Sequence, residues 1–166
     1  KIWCLIMGGP TKYYDYSTKN MKHIFSIFYK LLKKNNFQLV VIPSMRTPKN
    51  IINKAKEYFD YNQIIIQDID KKAYLSALAL ADHIVVTCDS TSMISEAAIT
   101  GHPIYVAQMP NIKKNDRFQK FFQLFNSLNI TKNLENSVEK WNYKKLNETD
   151  RISSYIKEKL KNYDFS

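Results

Sequence analysis

Asp89-Ser90-Thr91-Ser92 sets one carboxylate and three hydroxyls side by side, directly after the apolar run Ile84-Val85-Val86. The run reads as a strand buried on both faces of a parallel sheet. The residues that follow read as a helix of about ten residues, with Ile94, Ala97 and Ala98 on one face and Gly101 and Pro103 as its stop. Asp89 and Ser90 are good N-cap residues. Free backbone N–H groups and the positive dipole end meet at such a corner, which makes an anion site. Ligands of open α/β sheets sit beyond the carboxyl ends of the strands, where this corner falls. Glu96 follows Ser92 by four residues, on the same side of the helix; a capping box needs three. Its carboxylate is placed to accept hydrogen bonds from ribose hydroxyls. A plainly capped helix with a solvated glutamate is the alternative these residues leave open.

Two more corners carry comparable chemistry. Gly8-Gly9-Pro10-Thr11-Lys12 follows an apolar strand at residues 2–7, and paired glycines let a backbone approach a ligand closely. It matches neither the Walker loop nor the dinucleotide fingerprint. Tyr13, Tyr14 and Tyr16 come next, as rings to stack on a base or sugar or to pack the loop down. Ser44-Met45-Arg46-Thr47-Pro48 follows a strand at residues 37–42. Thr47 as N-cap with Pro48 in the first helical position is a helix start. Arg46 suits bidentate capture of phosphate, with a surface ion pair as the plainer use.

Elements must exist to hold these corners. Met21, Ile24, Phe25, Phe28, Leu31 and Leu32 recur at helical spacing after Ser17 and Thr18. A helix at residues 49–60, a strand at 63–67, an acidic-then-basic turn at 68–72 and a small helix at 73–81 follow. After a strand at residues 104–106, Asp116-Arg117 opens a helix striped by Phe118, Phe121, Phe122, Phe125 and Leu128, which belongs to the core or to a domain interface. Residues 129–150 read as irregular, anchored by Trp141 and Tyr143. A last helix at 151–163 turns Ile152, Ile156 and Leu160 inward. His83 and His102 sit at element junctions with no evident partner. The alternation predicts one Rossmann-like α/β domain over residues 1–166, a parallel sheet with helices on both faces. All three polar corners follow strands, so all three belong to one edge.

A chain of 166 residues with 45% hydrophobic side chains can bury a real core. It enters a strand directly from Lys1, which leads us to expect the later half of a longer protein. The net charge of +10 is uneven: +8 over residues 1–60, −3 over 61–110 and +5 over 111–166. Lysine supplies 22 of the 25 basic side chains. That pattern favours a solvated lysine surface over a nucleic-acid face, and leaves attraction to an anionic membrane as a weaker expectation. Cys4 and Cys88 fall in or beside buried strands, as reduced core thiols of a cytoplasmic protein would. No apolar run reaches membrane-spanning length. No His, Cys or Asp cluster has metal-ligand spacing, so no metal or cofactor is expected.

Taken together, Gly8-Gly9-Pro10-Thr11, Ser44-Met45-Arg46-Thr47-Pro48, Asp89-Ser90-x-Ser92-Met93-x-Ser95-Glu96-Ala97, Gly101-x-Pro103-x-Tyr105-Val106 and Trp141-x-Tyr143 resemble the mitochondrial-fission "elongated mitochondria" family and its bacterial relatives. The resemblance covers nearly the whole chain. Such proteins are similar to the carboxyl half of GT-B glycosyltransferases, where a Rossmann-like domain holds a nucleotide-sugar donor. It implies diphosphate at Gly8, Gly9, Ser90 and Ser92, ribose at Glu96, and countercharge from Arg46 and Lys12. Thr11 stands where the family pattern has serine, and keeps the hydroxyl. The candidate nucleotide-binding set is thus Gly8, Gly9, Thr11, Lys12, Ser44, Arg46, Thr47, Asp89, Ser90, Ser92, Met93 and Glu96. No catalytic residue is assigned, because the resemblance implies that the acceptor site and general base lie in an amino-terminal half. A nucleotide-sugar epimerase of the same fold and a non-catalytic interaction module at a membrane surface are the alternatives. Ser90 lacks the elbow of a serine hydrolase.

Overall fold

Ile2–Met7 forms β1, and the fold grows outward from it in both directions. The computed structural model describes residues 1–59, 62–135 and 137–161. Its elements run β1, α1 (Thr18–Lys34), β2 (Gln38–Pro43), α2 (Lys49–Tyr58), β3 (Ile64–Ile65), α3 (Lys71–Leu80), β4 (His83–Thr87), α4 (Thr91–Ala98), β5 (Ile104–Ala107), α5 (Asp116–Ser127), β6 (Thr131–Asn133) and α6 (Glu148–Lys161). The six strands lie in the order β3-β2-β1-β4-β5-β6, every neighbouring pair parallel. This is the Rossmann-like α/β sheet that the alternation predicts.

Burial explains the strand sequences. Cys4 of β1 sits between Val40 and Ile84 in register, and Leu5 between Val41 and Val85. β4 is buried at every position, as a central parallel strand covered on both faces must be. Right-handed crossovers place α1 and α2 over one face and α3, α4 and α5 over the other. The α1 stripe sinks Met21, Ile24, Phe25, Phe28 and Leu31 into the core. The strand order switches sides between β1 and β4: β2 and β3 add on one side of β1, β4 to β6 on the other. The connections that leave those two strands therefore part and open a crevice at the carboxyl edge.

Several expectations are corrected. β6 lies in a stretch read as irregular. Its three residues Thr-Lys-Asn carry no apolar pattern, because an edge strand backed on one side only by β5 needs none. β3 shrinks to two residues at the other edge. The helix expected at residues 49–60 ends at Tyr58, with Asp60 outside the described residues. α6 starts at Glu148 rather than residue 151, and residues 162–163 lie outside the described residues. Ile152, Ile156 and Leu160 are each about half exposed, so that stripe is not turned inward. α3 starts earlier than expected because the Asp70 carboxylate caps it, accepting from the Lys72 and Ala73 N–H groups. The turn at Gly101 has φ +80°, a left-handed geometry that glycine takes without strain. Cys4 and Cys88 are free and buried, and burial pushes both thiols up to about 12, which leaves them inert.

The opposite, amino edge of the sheet is held by an aromatic stack. Trp3 lies 4.4 Å from the His83 ring at an interplanar angle of 10°, with Phe37 at 5.0 Å and Tyr105 at 5.7 Å. His83 is only 5% exposed, and neither ring nitrogen has a hydrogen-bond partner. Burial lowers its pKa, because a charged imidazolium there would lose more by leaving water than the Glu139 backbone and the Asp82 charge return. The unfolded chain therefore binds a proton that the folded chain refuses. Stability is whole above about pH 6.5 and is lost as pH falls through the depressed folded value. Replacing His83 by Phe keeps a flat ring in the stack and removes the proton. Urea midpoints measured at about pH 7.5 and about pH 5.5 should differ less in H83F than in the parent. Equal differences would assign the acid sensitivity to other groups.

Candidate functional site

The main chain leaves β1 through Gly8 and Gly9, and both are locked to neighbouring corners. The Gly8 N–H donates to Thr87 Oγ1 at 2.8 Å, and the Gly9 N–H to Asp89 Oδ2 at 2.9 Å. The Gly8 carbonyl accepts from the hydroxyls of Tyr16, Ser44 and Thr47. Thr47 Oγ1 shares its one proton with the Met7 carbonyl at 2.9 Å and accepts from the Ser44 N–H at 2.8 Å. Thr47 was expected to cap α2. Pro48 takes the N-cap position instead, with no side-chain cap bond, because the buried carbonyls at the end of β1 compete for the threonine hydroxyl.

Asp89 closes the arrangement. Its side chain is fully buried and faces the Arg46 guanidinium, with Nη2 to Oδ2 at 3.0 Å. Arg46 Nη1 donates to the Gly9 carbonyl at 3.3 Å. Oδ1 has no hydrogen-bond partner. Burial pushes the Asp89 carboxyl up, while the Thr87 hydroxyl, the Gly9 N–H and the Arg46 charge pull it back down. Half of the Arg46 side chain remains exposed. A guanidinium carries about five N–H donors, so donors are left to reach toward the crevice once Asp89 and Gly9 are served. The glycines answer to these contacts. A Cβ on Gly8 would lie 2.0 Å from Asp89 Oδ2, and one on Gly9 would lie 2.2 Å from the Arg46 carbonyl. The close approach they permit is thus to the protein's own corners.

α4 begins beside this lock. Ser90 holds its N-cap position, nearly buried, without a side-chain cap bond. The sequence expects Asp89 or Ser90 to cap it, but Asp89 is drawn inward to Gly9 and Arg46. Ser90 Oγ instead lies 3.4 Å from Ser92 Oγ. By contrast, Ser17, Asp70 and Asn115 cap α1, α3 and α5 with their side chains. α2 and α4, which lack side-chain cap bonds, follow the strands that flank β1. A helix start without a cap leaves N–H groups to bind something else.

The remaining candidates spread out from this point. Ser92 is exposed, and Met93 is half-buried against the core. Thr11 Oγ1 accepts from the Tyr13 and Tyr14 N–H groups and so shapes its own loop. Lys12 is exposed, its Nζ 5.3 Å from the Tyr13 ring centroid. Glu96 is exposed on α4, and its Oε2 accepts from the Tyr74 hydroxyl at 2.7 Å. On its other side Glu96 borders an apolar groove of about 730 Å³ that includes Ile99, Leu124, Leu128 and Leu146. Two participants escape sequence reasoning: Thr87 accepts from the Gly8 N–H, and Tyr74 holds Glu96. Tyr16, read as a ring to stack on a ligand or to pack its loop down, is buried and donates its hydroxyl to the Gly8 carbonyl. Tyr74 had a weak signal, standing one turn into the helix that follows the acidic turn. Among the described residues, no three His, Cys, Asp or Glu side chains cluster as metal ligands.

The chemistry on offer is binding of a polyanion: uncapped N–H groups, two serine hydroxyls and a half-free arginine on one rim. Its geometry depends on Gly8. Gly8→Ala should lower stability by about 1–3 kcal/mol, because Asp89 has no free volume into which to retreat. Urea unfolding of the alanine variant measures this, and an unchanged midpoint would mean the corner is looser than its contacts imply.

Comparison with known proteins places this rim in a lineage. The family model described as Mitochondrial fission ELM1 matches residues 1–160. An uncharacterized protein of Rickettsia prowazekii (strain Madrid E) is 30% identical over 169 residues, covering 95% of this chain and 46% of that protein. The mitochondrial fission protein ELM1 of Arabidopsis thaliana is 33% identical over 120 residues, covering 70% of this chain and 28% of that protein. The chain thus spans less than half the length of either relative. No solved structure matches it. With the family model covering nearly every residue from the first strand to the last helix, the chain belongs to the mitochondrial fission ELM1 family.

Proposed function

We propose that this domain binds the nucleoside diphosphate of a nucleotide sugar, as the donor-holding half of a GT-B glycosyltransferase-like protein. One observation carries the proposal. The uncapped start of α4, with Ser90 and Ser92, stands beside the Arg46–Asp89 pair at the point where the strand order switches sides. Such crevices are where open α/β sheets hold nucleotides. Backbone dipoles and hydroxyls would meet one phosphate, and the spare donors of Arg46 the other. Glu96, further along α4, would accept from the ribose. In that role the rim stabilises charge on a departing diphosphate by fixed dipoles and one cation. The acceptor site and general base would belong to another part of the full protein, so this domain binds donor without turning it over.

Calorimetric titration with UDP, GDP, ADP and their sugars tests the proposal. Saturable binding of at least one is expected, and Glu96→Ala should weaken it by about 1–3 kcal/mol through lost charged hydrogen bonds. Silence from all of them at millimolar concentration would remove the reading.

A second reading follows from α6. Ile152, Tyr155, Ile156 and Leu160 are about half exposed or more along it, and Lys157, Lys159 and Lys161 accompany them. Glu148 and Asp150 lie in its first turn and the lysines toward its end, so an amphipathic helix with its positive charge gathered at one end suits an anionic membrane surface. Among the described residues no helix is long and apolar enough to cross a membrane. Flotation with anionic vesicles at low salt should carry the chain upward, and high salt should release most of it. Absence of flotation at both salts would dismiss this second role.

A further inference from the structure

An exposed glutamate ordinarily samples many rotamers, and fixing it costs conformational entropy. Glu96 is exposed, yet its Oε2 is held by the Tyr74 hydroxyl at 2.7 Å. The partners come from different elements, the first turn of α3 and the second turn of α4. Tyr74 is half-buried and packed against the hydrophobic core, so it acts as a fixed post. Burial, together with the hydrogen bond and charge of Glu96, pushes the phenol far above its ordinary range. The hydroxyl therefore remains a donor at any ordinary pH. A phenol has one proton to give, while a carboxylate offers about four lone-pair sites on two oxygens. With Oε2 engaged, Oε1 and the remaining lone pairs form an acceptor of set position on α4, four residues beyond Ser92. A sugar diol gains most from acceptors already in place, because less freedom is lost on binding.

Resting on the nucleotide reading of the rim, we propose that Tyr74 is a positioning residue for Glu96, and that the pair selects ribose over 2′-deoxyribose nucleotides. A purely structural Tyr74 would staple α3 to α4 and influence stability alone. The two roles separate in a ratio. The chain and its Tyr74→Phe variant are titrated with the ribo and 2′-deoxy forms of whichever nucleoside diphosphate binds, and with inorganic pyrophosphate. Phe keeps the packed ring, and urea unfolding records any staple effect independently. The parent should favour the ribo form by about ten-fold or more, since a missing hydroxyl leaves an acceptor unserved. Tyr74→Phe should shrink that preference by about three- to ten-fold and leave pyrophosphate affinity unchanged. Glu96→Ala should abolish the preference. If nucleotides bind and Glu96→Ala removes the preference while Tyr74→Phe keeps it whole, the positioning role is overturned and the site reading survives. If no nucleotide binds the parent, both fall together.

Discussion

A carboxylate without water must find donors and countercharge or give up its proton. Asp89 finds them on two other strands' corners: the Gly9 N–H after β1 and the Arg46 guanidinium after β2. That single buried group therefore ties together three connections that sequence separates by about eighty residues. The Gly8 main chain spans the same three strand ends, its N–H on Thr87 and its carbonyl under Ser44 and Thr47. Gly8 follows from the same constraint, since any side chain there would occupy the space of the Asp89 carboxylate, while Gly9 answers to the approach of the Arg46 main chain.

The inward turn of Asp89 has a consequence for the start of α4. A residue that could have capped the helix is engaged elsewhere, and Ser90 makes no cap bond in its place. Thr47 behaves alike at α2, where the end of β1 claims its hydroxyl. Both helices that flank the crevice thus keep N–H groups for an outside partner, while α1, α3 and α5 satisfy theirs internally. Those uncapped starts, in place of local capping, are the physical basis of the proposed nucleotide site.

The two edges of the sheet divide the labour. At the amino edge, Trp3, Phe37, His83 and Tyr105 stack into a dry layer that serves cohesion. At the carboxyl edge, short loops hold polar groups against one another over a rigid parallel base. Membership in the mitochondrial fission ELM1 family extends over both edges, since the match runs through residues 1–160.

Much of this was legible beforehand where neighbours in sequence decide the outcome. Continuous apolar runs such as 84–86 mark central strands, and the i, i+3, i+4 stripe of α1 marks its buried face, because periodicity is a local property. The meeting of three post-strand corners on one rim also follows from strand–helix alternation alone. What remained hidden were choices between rival partners. Whether Thr47 caps α2 or clasps β1, whether Asp89 caps α4 or pairs with Arg46, and whether Tyr74 reaches Glu96 depend on groups distant in the chain. The strand at Thr131–Asn133 escaped for a related reason, because pairing with β5 rather than composition makes it. Alternation and hydrophobic spacing determined the architecture. Only tertiary structure decided which polar atoms satisfy one another, since a buried donor takes the strongest acceptor within reach, however far away it lies in sequence.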